Sequence, residues 1–67
     1  MSAARISYQR ASQLAAKAAE SFSGRVAADI LTGFENHFAG RTSAPKDDFM
    51  YWLEEAIDIA QWRAENA

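Results

Sequence analysis

His37 is the only imidazole in the chain, so general-base or nucleophile-activating chemistry near neutral pH would have to run through it. It stands between Phe34 and Phe38 on a helical stretch, which reads as a histidine at the edge of an apolar face near a negative helix end. Glu54 and Asp58 are the next candidates. Spaced i and i+4, their carboxylates share a helix face, where such pairs can exchange protons or hold a hard cation. Carboxylate metal bundles use a Glu-x-x-His arrangement, and this segment has no histidine, so the pair is expected to be part of a solvated acidic face. The chain has no cysteine, which removes disulfides and thiolate zinc sites together. Its three glycines are scattered and match no phosphate-cradling loop. The expectation is a protein with no catalytic residues, no metal and no cofactor.

Binding chemistry offers more. From Lys46 onward the chain carries Asp47, Asp48, Glu54, Glu55, Asp58 and Glu65 against Lys46 and Arg63, a net charge of −4; the preceding residues are net +2. Within that acidic segment Trp52 joins Phe49 and Leu53 on an apolar face. Trp62 falls instead on the arc of Tyr51, Glu55 and Asp58, with Ile59 at its flank. A tryptophan and a tyrosine set among carboxylates have the make-up of an interface anchor with a polar rim. Tyr51, Glu55, Asp58, Ile59 and Trp62 are therefore the expected partner-binding residues. The competing expectation is that Trp62 folds back over the end of the bundle.

A second class of partner is nucleic acid. Residues 13–35 have the outline of a helix-turn-helix, and Arg10 and Lys17 lie seven residues apart on one face. The would-be recognition helix begins Arg25-Val26-Ala27-Ala28-Asp29, however, which is poor in groups that read base edges. The overall net charge of −2 gives no general attraction to phosphate. A dimeric DNA-binding regulator ranks below a protein-binding inhibitor, anti-regulator or adaptor. A structural subunit of a larger complex is the third possibility.

Three helices must position these groups. The first is expected over about residues 3–22, a glycine- and proline-free run whose apolar positions Ala4, Tyr8, Ala11, Ala15, Ala18 and Phe22 follow a 4-3-4-3-4 spacing. Leu14 and Ile6 widen that stripe, and Gln9, Arg10, Gln13, Lys17 and Glu20 make the solvated side. After a break at Ser21 to Gly24, with Ser23 as a possible cap, the second helix spans about 25–39. Val26, Ala27, Ile30, Leu31, Phe34 and Phe38 form its apolar face, Gly33 marks close approach of a neighbouring helix, and Gly40 terminates it. The loop 41–45 offers Thr42 or Ser43 as caps and Pro45 as a first-turn residue. The third helix runs over about 45–65, with Phe49, Met50, Trp52, Leu53, Ala56, Ile57 and Ala60 inward.

The chain thus reads as a single all-α domain, residues 1–67, of three helices. A domain this small buries only about 60% of its unfolded surface, and without disulfides a partner chain is the usual remedy. Alanines also bury little area by themselves. The seam Tyr8, Ala11, Ala15, Ala18 and Phe22 is therefore the expected self-association surface of a homodimer, with a monomeric antiparallel bundle as the alternative. No apolar run approaches the length of a membrane span and no leader is apparent, which points to a cytoplasmic protein with no membrane partner.

Overall fold

A computed structural model describes residues 4–66, in the order β1 (Arg5–Ser7), α1 (Tyr8–Glu20), α2 (Gly24–Phe38), β2 (Ser43–Pro45) and α3 (Lys46–Glu65). The three expected helices are present, and a two-stranded antiparallel ribbon is added to them. The tyrosine at the start of α1 packs 5.3 Å and 5.6 Å, ring to ring, from Phe34 and Phe38 at the end of α2. The two helices therefore run antiparallel. Phe49, near the start of α3, in turn meets Phe34 at 6.2 Å and Phe38 at 6.0 Å, so α3 returns along α2. Phe34, Phe38, Phe49 and Ile30 supply most of the buried bulk, and Ala11, Ala15 and Ala19 present α1 as a flat, closely approaching surface.

The first helix starts five residues later than its composition suggests. Ala3 lies outside the described residues, and Arg5 to Ser7 are extended. Two local preferences outweigh the helix propensity of the flanking alanines. Ser7 adopts extended backbone and its hydroxyl accepts from the Arg10 N–H at 3.1 Å, an N-cap that ends the helix at its own position. Ile6, just outside that cap, is buried with Ala11 in the same core cluster, the two positions of a hydrophobic staple. The helix also ends at Glu20, and Phe22 sits half-buried in the turn against the core.

The ribbon pairs Arg5 with Pro45, Ile6 with Ala44 and Ser7 with Ser43. Ile6 and Ala44 both turn into the core. Bonded and non-bonded pairs alternate along an antiparallel ladder, so Pro45, which has no N–H, occupies a pair that needs none. At the two ends of the ladder the Tyr8 N–H donates to the Thr42 carbonyl at 2.8 Å and the Lys46 N–H to the Ala4 carbonyl at 2.9 Å. Each is the first residue of a helix, and each receives its acceptor from the opposite strand. This explains how α3 begins at Lys46 with no side-chain cap: neither Thr42 nor Ser43 plays the expected role, and Pro45 stays extended at the cap position.

At the end of α2 the left-handed residue is Ala39 (φ 40°), one position before the expected terminator Gly40, which follows at φ 84°. Arg41 secures this turn. Its side chain donates to the carbonyls of Phe38 and His37, and its guanidinium lies 5.8 Å from the Phe38 ring centroid. Gly33 is where a neighbour approaches, as its place in the sequence predicts: a Cβ there would lie 3.4 Å from Cζ2 of Trp52. Leu31 and Met50, assigned inward by spacing, sit on the flanks and are more than a third exposed. Among the described residues, no helix is long and apolar enough to cross a membrane.

The seam expected to bind a second chain is largely consumed within this one. Ala11 and Ala15 are wholly buried, Ala18 and Phe22 are packed against the core, and Ala19, absent from the expected set, continues the inward line. Tyr8 keeps an exposed edge and donates from its hydroxyl to Glu35 at 2.6 Å. The middle of the 4-3-4-3-4 spacing, Ala11 to Ala18, marks a helix laid along another helix, α2 of the same chain, whereas its ends Ala4 and Phe22 lie outside α1.

A candidate docking surface on the third helix

The orientation of α3 is fixed from its inner side. Phe49, Leu53 and Ala60 are buried, and Trp52 is wedged over Gly33 and stacked on His37 at 4.8 Å with the rings 16° from parallel. An α-helix turns about 100° per residue, so with Phe49 pointing at the core, Asp58, Tyr51, Trp62 and Glu55 fall between about 180° and 240° from it. They face directly away from the bundle. Ile59 lies on the flank, nearer Trp52. Tyr51 is 66% exposed, Trp62 64% and Ile59 47%, and Glu55 and Asp58 are exposed beside them.

The structure thus brings four of the five expected partner-binding residues, Tyr51, Glu55, Asp58 and Trp62, onto one outer strip of α3 about 16 Å long, with Ile59 at its edge. It also decides the orientation of Trp62, which does not fold over the end of the bundle. Ala60 is the last buried position, and residues 61–66 are exposed as α3 runs on beyond its neighbours. A helix whose inner side is already satisfied has no folding use for a tryptophan and a tyrosine on its outer side.

The groups weighed for chemistry are placed differently. His37 is a packing residue: its ring stacks on Trp52 and its Nε2 is buried with no hydrogen-bond partner. Burial, reinforced by the nearby Arg41 charge and opposed by Asp48, holds its pKa below the usual histidine range. Glu54 and Asp58 are exposed and, with Ile57, line a shallow groove of about 320 Å³. The helix-turn-helix outline of residues 13–35 resolves into the α1–α2 hairpin. In a helix-turn-helix the two helices cross at roughly 90–120°, which would hold the start of one well away from the end of the other. Here Tyr8 and Phe38 are in ring contact. Arg25 stands 3.9 Å from Asp29 of the same helix.

One site was not foreseen in the sequence. Arg5, Ile6, Ser7, Arg10, Leu14 and Lys46 line a groove of about 420 Å³ at the junction of β1, α1 and the start of α3. Ile6 and Leu14 form its floor, and three cations stand around it. The polar–apolar–polar order of Arg5, Ile6 and Ser7 is the trace of it that the sequence carries, and the structure shows that alternation as exposed, buried, exposed. The alanine-rich stretch beyond masked that alternation. No family model, curated protein or solved structure matches the chain.

Proposed function

We propose that the protein is a small, non-catalytic protein–protein interaction module, an inhibitor, anti-regulator or adaptor that occludes a surface of a larger protein through the outer strip of α3. The observation that carries this is the exposure of Trp62 and Tyr51 on a helix already anchored by its opposite face. Fully burying a large apolar side chain is worth about 1.5–3 kcal/mol, and binding energy concentrates in aromatic anchors ringed by polar groups. Glu55 and Asp58 supply that rim and favour a partner with basic groups around an apolar pocket.

The test is affinity capture from the native host lysate with the tagged wild type and with Trp62→Ala. A discrete protein retained by the wild type through nuclease and high salt, and bound roughly 30-fold more weakly by Trp62→Ala, is the expected result, since an anchor of this kind contributes about 2 kcal/mol. Equal retention by both proteins would remove the strip from the binding surface. Retention lost on nuclease treatment would favour the nucleic-acid alternative.

A further inference from the structure

The molecule carries two surface features of opposite character that cannot meet within one chain. The first is the acidic, aromatic strip of α3. The second is the groove at Arg5, Ile6, Ser7, Arg10, Leu14 and Lys46, apolar at its floor and cationic at its walls. Arg5 spends its Nε on the Ser43 hydroxyl and Arg10 spends one guanidinium nitrogen on Gln13, and neither of them nor Lys46 is in an ion pair among the described residues. Lys46 opens α3 and Trp62 lies sixteen residues further on, about 24 Å along the helix axis. The strip also points away from the body of the chain.

We propose that the groove receives the outer strip of α3 from a second copy of the chain, with Trp62 or Tyr51 over Ile6 and Leu14, and Glu55 and Asp58 against Arg5, Arg10 and Lys46. Charge complementarity selects this occupant: the strip joins exposed aromatics to carboxylates, and the groove joins an apolar floor to cations. At about 420 Å³ the groove falls within the 300–1,000 Å³ typical of sites that enclose an organic group. One patch meets a different patch, so two copies close as a two-fold pair where both contacts form at once, and otherwise the contact repeats from copy to copy. One helix strip in one groove is a small contact held largely by exposed charges, so the association is weak and salt-sensitive. It would cover the same strip that the proposed function assigns to a larger partner. The inference therefore rests on that strip being adhesive, and it adds self-masking that a tighter partner displaces.

The test is sedimentation equilibrium of the whole chain from micromolar to millimolar concentration, at low and at high salt. Three samples are compared with the wild type: Arg10→Glu with Lys46→Glu, Glu55→Lys with Asp58→Lys, and an equal mixture of the two. All four positions are exposed, so the fold should survive, and circular dichroism verifies it. The wild type should gain mass with concentration and lose it in salt. Each variant alone should stay monomeric, because its strip and groove then carry like charge. The mixture should recover the heavier species, because both contacts are complementary again. A wild type that stays monomeric throughout, variants that associate as it does, or a mixture that stays monomeric would each overturn the proposal. The groove variant keeps its strip, which separates the two claims. Trp62-dependent lysate capture with a monomeric wild type removes only the self-docking, and recovery in the mixture without such capture removes only the binding module.

Discussion

In α1 the most enclosed positions are the smallest, Ala11, Ala15 and Ala19, whereas α3 leaves Tyr51, Ile59 and Trp62 in solvent. Bulk inside this molecule comes from α2 and the first turns of α3, through Ile30, Phe34, Phe38 and Phe49. Against those side chains α1 needs a smooth face that lets its axis come close, and larger residues there would push it away. The outer aromatics of α3 have no such task. The contrast separates two meanings of an apolar residue: the alanines are there for how near they let a neighbour come, and the aromatics for what they offer to something else. The same division splits the tryptophans, with Trp52 locked against Gly33 and His37 and Trp62 free of both.

The sharpest way to break the comparison is Ala15→Glu. If the alanine face serves this chain's own α2, the substitution overpacks the core and buries a carboxylate, at about 4 kcal/mol or more. Small domains have stabilities on the order of 5 kcal/mol, so a thermal melt followed by circular dichroism should show most of the structure lost. A folded variant that had merely lost mass in solution would return the seam to an intermolecular role.

A smaller effect should follow pH through His37, the ring stacked on the inner tryptophan. Because His37 has its pKa lowered in the fold, the unfolded chain binds its proton first as pH falls. Stability should therefore decline below the ordinary histidine range, about 6.5, and level off once the folded form is protonated as well. His37→Gln should flatten that part of a urea-denaturation series across pH, and an unchanged slope would mean that His37 is not the group whose protonation destabilises the fold. The smallest effect belongs to the outer strip. Trp62→Ala should move the midpoint of urea unfolding by no more than about 0.5 kcal/mol equivalent. A larger loss would place Trp62 in the core and erase the contrast.

Helix number, the limits of α2 and α3, the Gly33 approach and the outward arc of α3 were legible in the sequence because each depends on periodicity along a single helix. The ribbon was not. Its strands are three residues long, 38 positions apart at Arg5 and Ser43, and each abuts a segment of strong helix propensity. Only the long-range pairing of Ile6 with Ala44 turns these stubs into strands. The identity of the helix that covers the alanine seam was hidden for a related reason. Spacing says that Ala11 and Ala15 meet a helix and is silent on whether that helix belongs to the same molecule. The cationic groove escaped notice because Arg5, Arg10 and Lys46 converge only once the ribbon has formed.

The ribbon also stands in for a bond that this chain lacks. With Ala4 joined to Lys46 and Thr42 to Tyr8, the intervening residues are closed into a ring, as a disulfide would close them, in a protein that has no cysteine. Closing a loop of some forty residues costs about 3 kcal/mol of chain entropy, set against a few hydrogen bonds and the burial of Ile6 and Ala44. Such a clasp is indifferent to reductant and opens as one unit. Fraying of the chain's first strand would strip the start of α3 of the Ala4 carbonyl that its Lys46 amide now uses.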